Sequence, residues 1–155
     1  KDKVFPVCSP AFAQQRALSE ASQLAQVPLL NDDSEWRFSS PYAEWEKWLL
    51  LASAKGIKPS RGISFNRGDL AVQAAIAGQG VALGRTPLVM DDIQQGRLMM
   101  PFSEILDEGH AYLFVCPEMQ RQREPVQQLL SWLVAQCYQY SPEDTLTTPD
   151  DLNSL

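Results

Sequence analysis

The chain has 155 residues, 45% of them hydrophobic, enough for one domain core. Acidic residues outnumber basic ones, 19 against 13, and the net charge of -6 speaks against this segment itself gripping nucleic acid, because neutralising phosphates needs clustered Lys and Arg. No apolar run approaches the roughly 20 residues that span a bilayer, and Lys1-Asp2-Lys3 lacks the apolar core of a signal peptide.

In chain order, the pattern predicts a strand over 3–8, a helix over 10–17, a helical turn over 20–25 and a strand over 28–31. A helix over 41–54 follows, in which Trp45, Trp48 and Leu49 sit at spacings of three and four and read as a buried face. With Trp36 and Tyr42, the same aromatics also form a candidate aromatic box. A strand over 62–66 leads into a helix over 68–77. There Leu70, Ala71, Val72, Ala74, Ala75 and Ile76 leave almost no polar face, so this helix is expected to be packed on most sides. Gly78 offers the positive φ needed just past a helix end, and Gly80 follows. Val81-Ala82-Leu83, within a strand over 80–84, reads as buried on both faces and points to a parallel sheet. Thr86 suits the N-cap and Pro87 the first position of a helix over 86–95, which Gly96 closes.

Strands over 97–100 and 111–116 and a helix over 123–139 complete the order. In that last helix Val126, Leu129, Leu130, Leu133, Val134 and Cys137 repeat at helical spacing as a continuous apolar stripe. Strand and helix alternate, the signature of an α/β fold with mostly parallel strands. Residues 141–155, polar, acidic and Pro-containing, read as a flexible tail.

The run AAIAGQGVALGR, then L-V-x-x-D-I-x-x-G-R-L, then Pro101-Phe102, resembles the effector-binding domain of LysR-type transcriptional regulators. The resemblance extends outward to Val4–Pro10, Leu29–Asp32, Tyr112–Val115 and Ser131–Leu133, so that it covers about residues 3–138. Within the family, Trp36, Glu44-Trp45, Trp48 and Gly62–Val72 are most similar to the branch that activates D-serine deaminase, with the glycine-cleavage branch second.

The resemblance implies a periplasmic-binding-protein-like type II effector domain, of which this chain would hold the second subdomain and the C-terminal part of the first. Residues 1–8 would be the first crossing strand, 9–110 the effector-binding subdomain, and 111–140 the return strand and final helix. The final helix would pack, in a longer parent, on a sheet absent here. That parent would be a cytoplasmic tetramer that meets promoter DNA through a winged helix-turn-helix elsewhere in the protein. Its effector would be D-serine or a related amino acid.

The candidate site is the junction Phe65 to Asp69. A helix N-terminus presents unpaired amides and the positive end of its dipole, so it attracts carboxylates. Asn66 is suited to cap it, Gly68 to let a ligand near the backbone, Arg67 to add a charged fork and Asp69 to meet an ammonium group. The competing reading is an ordinary helix start with Arg67 and Asp69 in water. Many members of the resembled family carry a serine at the position of Gly68, whose hydroxyl contact is lost here.

Asp32 and Asp33 follow a strand and either edge the cleft or belong to a solvated loop. Arg85 either reaches the ligand or pairs with Asp91 or Asp92. Tyr112 sits where some relatives of the resembled family place an aromatic on the crossing strand, and as an alternating strand residue it also suits the core.

Cys8, Cys116 and Cys137 form no metal-spaced pair and read as buried thiols in a reducing compartment. By resemblance, Cys8 and Cys116 fall on strands that run side by side, where a disulfide is disfavoured. No cofactor and no metal are expected. His110 is the only histidine, and no G-x-S-x-G or H-E-x-x-H motif is present, so no enzymatic reading is supported. A solute-binding protein would share the fold class, and a fold alone does not separate it from a regulator.

Overall fold

The computed structural model describes residues 3–33, 40, 42–107 and 114–139, the last three in their backbone only. Expectations for Trp36, His110, Tyr112, the Cys137 side chain and residues 141–155 lie outside them. The elements are β1 (Lys3–Val7), α1 (Pro10–Arg16), a 3-10 turn (Ala21–Gln26), β2 (Leu29–Asp32), α2 (Ala43–Leu51) and a second 3-10 turn (Pro59–Arg61). Then follow β3 (Ile63–Phe65), α3 (Gly68–Ile76), β4 (Val81–Arg85), α4 (Thr86–Gln94), β5 (Leu106–Asp107), a short 3-10 turn (Glu118–Gln120) and α5 (Glu124–Gln139).

The five strands lie in the order β3-β2-β4-β1-β5. β2 runs parallel to both β3 and β4, whereas β1 pairs antiparallel with β4 and with β5. The sheet is therefore mixed: the alternation of strand and helix predicts the parallel half correctly, and the returning strand β1 reverses the rest. Alternation along β2 and β4 sends Leu29 and Val81 to one face, and Leu30 and Ala82 to the other. Leu30 and Ala82, with Phe5 and Val7, meet Ala71, Val72, Ala74 and Ala75 of α3 with Val89 and Met90 of α4. Leu29 and Val81 meet Phe12 and Ala13 of α1 with Trp45, Trp48 and Leu49 of α2.

Trp45 and Trp48 are core, as their spacing predicts. Trp48 is fully buried, donates its indole N–H to the Glu104 carbonyl at 2.8 Å and lies 5.7 Å from the Phe102 ring. Trp45 meets Trp48 edge to face at 6.1 Å.

Several expectations are corrected. α3 buries only a stripe of small residues, leaving Gln73 exposed and Leu70 42% exposed, because the sheet covers one side of it and solvent the other. Thr86 does not cap α4. The cap residue is Arg85, and the buried Thr86 hydroxyl donates instead to the Lys3 carbonyl at 3.2 Å, tying α4 to β1. The segment 97–100 contributes only a bridge between Met99 and Cys8, since the Arg97 and Leu98 amides are used by the Asp92 carbonyl at the end of α4. The strand that borders β1 at that edge is β5, which composition alone does not announce. Residues 114–117 belong to no strand.

Cys8 and Cys116 are free thiols; Cys8 is buried as expected, whereas Cys116, in a segment that joins no strand, is only half-buried. Burial pushes the Cys8 thiol up to about 12, so it stays protonated at neutral pH. In α5, Leu129, Trp132 and Val134 are exposed, while Val126, Leu130 and Leu133 are half-buried.

Gly78 has φ +72, and its amide closes α3 on the Ala75 carbonyl at 3.0 Å. A Cβ there would meet only Ser9 Oγ at 3.5 Å, an ordinary contact. Gly80 is constrained differently, since its Cβ would fall 2.4 Å from the Pro28 carbonyl oxygen. Gly78→Val is expected to destabilise the domain by about 1 kcal/mol or more through the left-handed backbone alone. An unchanged denaturant midpoint would remove this helix end from the account.

Candidate functional site

β3, β2 and β4 run parallel, so their carboxyl ends, Phe65, Asp32 and Arg85, reach the same edge of the sheet. Asp32 is in register with Phe65, and the Asp33 amide donates to the Phe65 carbonyl at 2.8 Å, which carries the pairing one residue past the ladder. From Phe65 the chain turns through Asn66 and Arg67 into α3, whose N-terminus rises beside Asp32. Edges of this kind are where α/β sheets bind ligands.

A small depression with a volume of about 40 Å³ opens there. Its polar groups are Asp32, Glu44 and Arg85, and its apolar floor includes Leu30, Trp45 and Val72. Arg85 Nη2 donates to Glu44 Oε1, in the first turn of α2, and the two side chains are 18% and 16% exposed. The expectation that Arg85 pairs with Asp91 or Asp92 is replaced by this contact. Asp92 is held by Arg97, Nε to Oδ1 at 2.5 Å.

Gly68 lines the same depression, and a Cβ on it would lie 2.4 Å from Asp32 Oδ2. The carboxylate thus fills the space a side chain would take. A serine here would require the Asp32 carboxylate to shift.

The other candidates stand apart. Arg67, not Asn66, occupies the cap position of α3, and neither side chain caps it. Arg67 instead folds onto Asp69, donating from Nε at 2.9 Å and from Nη2 at 2.6 Å, with the two side chains 67% and 56% exposed. The hydrogen bond from Arg67, reinforced by the amides of Asp69 and Leu70, holds the Asp69 carboxyl below the usual range. Asn66 and Asp33 are exposed.

The structure therefore brings Asp32, Gly68 and Arg85 together and leaves Arg67 and Asp69 paired in solvent at the flank. Glu44 escapes the sequence reading because it lies 41 positions from its partner. An acidic residue in the first turn of a helix reads as an ordinary dipole partner.

A model of the LysR substrate binding domain matches residues 1–138. The chain belongs to this family. Among curated members it is 35% identical over 133 residues to the HTH-type transcriptional regulator DsdC of Escherichia coli K12, covering 85% of this chain and 42% of that protein. The glycine cleavage system transcriptional activator of the same organism is 29% identical over 133 residues, covering 85% and 41%. The chain thus spans less than half the length of these relatives, which are transcriptional regulators rather than enzymes.

Solved structures agree on the fold. The effector binding domain of AmpR from Citrobacter freundii superposes with a TM-score of 0.61 at 19% identity, over 88% of this chain and 64% of that one. The regulatory domain of CrgA from Neisseria meningitidis gives 0.58 at 17% identity, over 88% and 65%. The chain is a LysR-type effector-binding domain with the periplasmic-binding-protein-like type II fold. Among the described residues, no helix is long and apolar enough to cross a membrane, and no group of three or more His, Cys, Asp or Glu could hold a metal ion.

The Arg67–Asp69 pair gives a titration test. A lowered carboxyl pKa means that the pair contributes above the ordinary carboxylate range and is lost as pH falls through the folded value. With both groups solvated, the effect is screened by salt. Arg67→Ala is therefore expected to raise the Asp69 titration towards its ordinary value, and molar salt to do part of the same in the parent chain. Carboxyl carbon shifts followed against pH measure it; identical titrations in variant and parent would refute the pairing.

Proposed function

We propose that this LysR-type domain senses D-serine or a closely related amino acid on behalf of a cytoplasmic, DNA-binding transcriptional activator. The observation that carries the reading is the convergence of Asp32, the Gly68 amide end of α3 and Arg85 on one depression at the carboxyl edge of parallel strands. An α-amino acid presents one cation and one anion on adjacent atoms. It needs carboxylate and guanidinium side by side, and a helix N-terminus adds its dipole to the anion's side. The likeness of Gly62–Val72 to the D-serine deaminase branch, and the similarity to DsdC, favour a small polar amino acid.

Arg67 and Asp69 flank the site. Because each already neutralises the other, they suit an uncharged hydroxyl rather than the ammonium or carboxylate, and a serine side chain offers that group. Asn66 and Asp33, next in sequence to Arg67 and Asp32, and Tyr112, through the family resemblance, complete the proposed site.

In the parent, promoter DNA would be bound by a helix-turn-helix outside this chain, and four copies would assemble. This chain's net charge of -6 leaves phosphate binding to another segment.

Calorimetry with D-serine and L-serine tests the ligand reading. D-serine is expected to bind better, and Arg67→Ala to weaken it about fivefold, the effect of one uncharged-partner hydrogen bond, with folding unaffected. Equal binding by parent and variant would take Arg67 out of the site, and no discrimination between enantiomers would remove the serine assignment.

We also propose that the chain pairs as a homodimer through α5. Leu129, Trp132 and Val134 are 47%, 58% and 46% exposed on one helix. Burying such surface contributes about 25 cal/mol per Å². Sedimentation at tens of micromolar is expected to show a dimer that Leu130→Glu dissociates; a monomer unaffected by the substitution would overturn it.

A further inference from the structure

The basic residues of this chain are not spread evenly. Residues 47–67 carry five of the 13 basic residues and none of the 19 acidic ones, in a chain whose net charge is -6. Arg67 is spent on Asp69. Lys55, Lys58 and Arg61 are exposed and, among the described residues, hold no ion pair.

The backbone that presents these three is fixed. Past α2, Ser53 takes φ 55 and donates its amide to the Leu50 carbonyl at 3.1 Å, and the buried Ala54 donates to Leu49 at 2.9 Å. The buried Pro59 accepts from Asn31 Nδ2 at 3.1 Å and from the Gly62 amide at 2.9 Å, while the Arg61 amide donates to the Lys58 carbonyl at 3.1 Å. Ala54 and Pro59 thus pin the segment, and the cations at every third position face water. Gly62 has no room for a Cβ against the Leu29 carbonyl, so the turn lies at the amino ends of β2 and β3, away from the depression at their carboxyl ends. Just before the turn, Leu50 and Leu51 close α2, 80% and 50% exposed. Anions carried on a segment with apolar side chains match such a surface.

That chemistry is present in the same chain. Residues 141–155 carry Glu143, Asp144, Asp150 and Asp151, no basic residue, and Leu146, Leu152 and Leu155. Acidic groups elsewhere are less available, since Glu44, Asp69, Asp92 and Glu118 each already face an arginine. α5 ends at Gln139. At about 3.3 Å per extended residue, residues 140–155 span about 50 Å, whereas a compact chain of this length has a radius of gyration of about 15 Å. Tethering holds the segment at an effective concentration of about a millimolar, which populates contacts that are weak singly.

We propose that residues 141–155 dock on this surface of the same chain, carboxylates against Lys55, Lys58 and Arg61 and leucines against Leu50 and Leu51, and so shield these cations from other polyanions. The contact is electrostatic and solvated, so salt weakens it. It does not depend on which ligand the depression takes.

Amide NMR of the 155-residue chain at low ionic strength tests this with two full-length variants. In the first, Glu143→Gln, Asp144→Asn, Asp150→Asn and Asp151→Asn discharge the segment; in the second, Lys55→Gln, Lys58→Gln and Arg61→Gln discharge the surface. The first is expected to shift the amides of residues 50–62 and the second those of 141–155, and molar salt to move the unsubstituted chain towards both. Near-UV circular dichroism of the packed tryptophans checks folding. A synthetic peptide of residues 141–155 at several millimolar is expected to restore the first variant and to leave the second unchanged. An equimolar mixture of the two variants at tens of micromolar is expected to give the sum of their separate spectra. Amides 50–62 unmoved in the first variant would mean that nothing docks there and would overturn the proposal. A mixture that regains the unsubstituted shifts would hand the segment to a second copy and overturn the same-chain contact.

Discussion

Strand β4 is the constraint on which the remainder of the fold is built. It is bonded along both edges, parallel to β2 and antiparallel to β1, and covered on both faces by helices. At Ala82, which is fully buried and paired on both sides, the strand's backbone polar groups need strand partners, because water does not reach them. Its side chains must also be small enough for two helical layers to close over it. Val81, Ala82 and Gly84 meet that demand, and at Gly84 an added Cβ would already lie 3.0 Å from Val89. The price of such a strand is that it cannot carry polar chemistry until it leaves the core, which it does at Arg85.

That exit determines where the charges gather. Parallel pairing brings the ends of β2, β3 and β4 to one edge, and the reversal at β1 leaves no competing edge of the same kind. Two ion pairs stand near each other there and differ in character. Arg67–Asp69 has better hydrogen-bond geometry but is mostly exposed, so it titrates and is screened as surface pairs are. Arg85–Glu44 is mostly covered and shares its surroundings with Asp32 and Gly68, so its rearrangement carries more consequence. Geometry alone would favour the first pair as the binding element. Burial favours the second.

Much of the fold was legible in the residues. The spacing of Trp45, Trp48 and Leu49 marked a buried helix face, Gly78 marked a helix end, and Val81–Leu83 marked a covered strand. The misreadings share one cause. Thr86 has the chemistry of a cap, yet its hydroxyl answers a carbonyl on β1, 83 positions away. The segment 97–100 has the composition of a strand, yet its first two amides, Arg97 and Leu98, are consumed at the end of α4. In the candidate site, Asp32, Gly68 and Arg85 were recognisable as types, but Arg67 and Asp69, adjacent in sequence, drew attention that belonged equally to Glu44.

The sequence by itself determined the family, the order of strands and helices from β1 through α4, and the edge of the sheet at which polar residues collect, because these follow from local periodicity, glycine placement and a motif whose members lie close together. Only the tertiary structure decided which charges face each other. A hydrogen bond or ion pair depends on separation in space, and loops of any composition can bring Glu44 to Arg85 or Thr86 to Lys3 without leaving a mark between them. The strand direction of β1 belongs to the same class, since pairing parallel or antiparallel satisfies the same side chains and is chosen by the path of the chain.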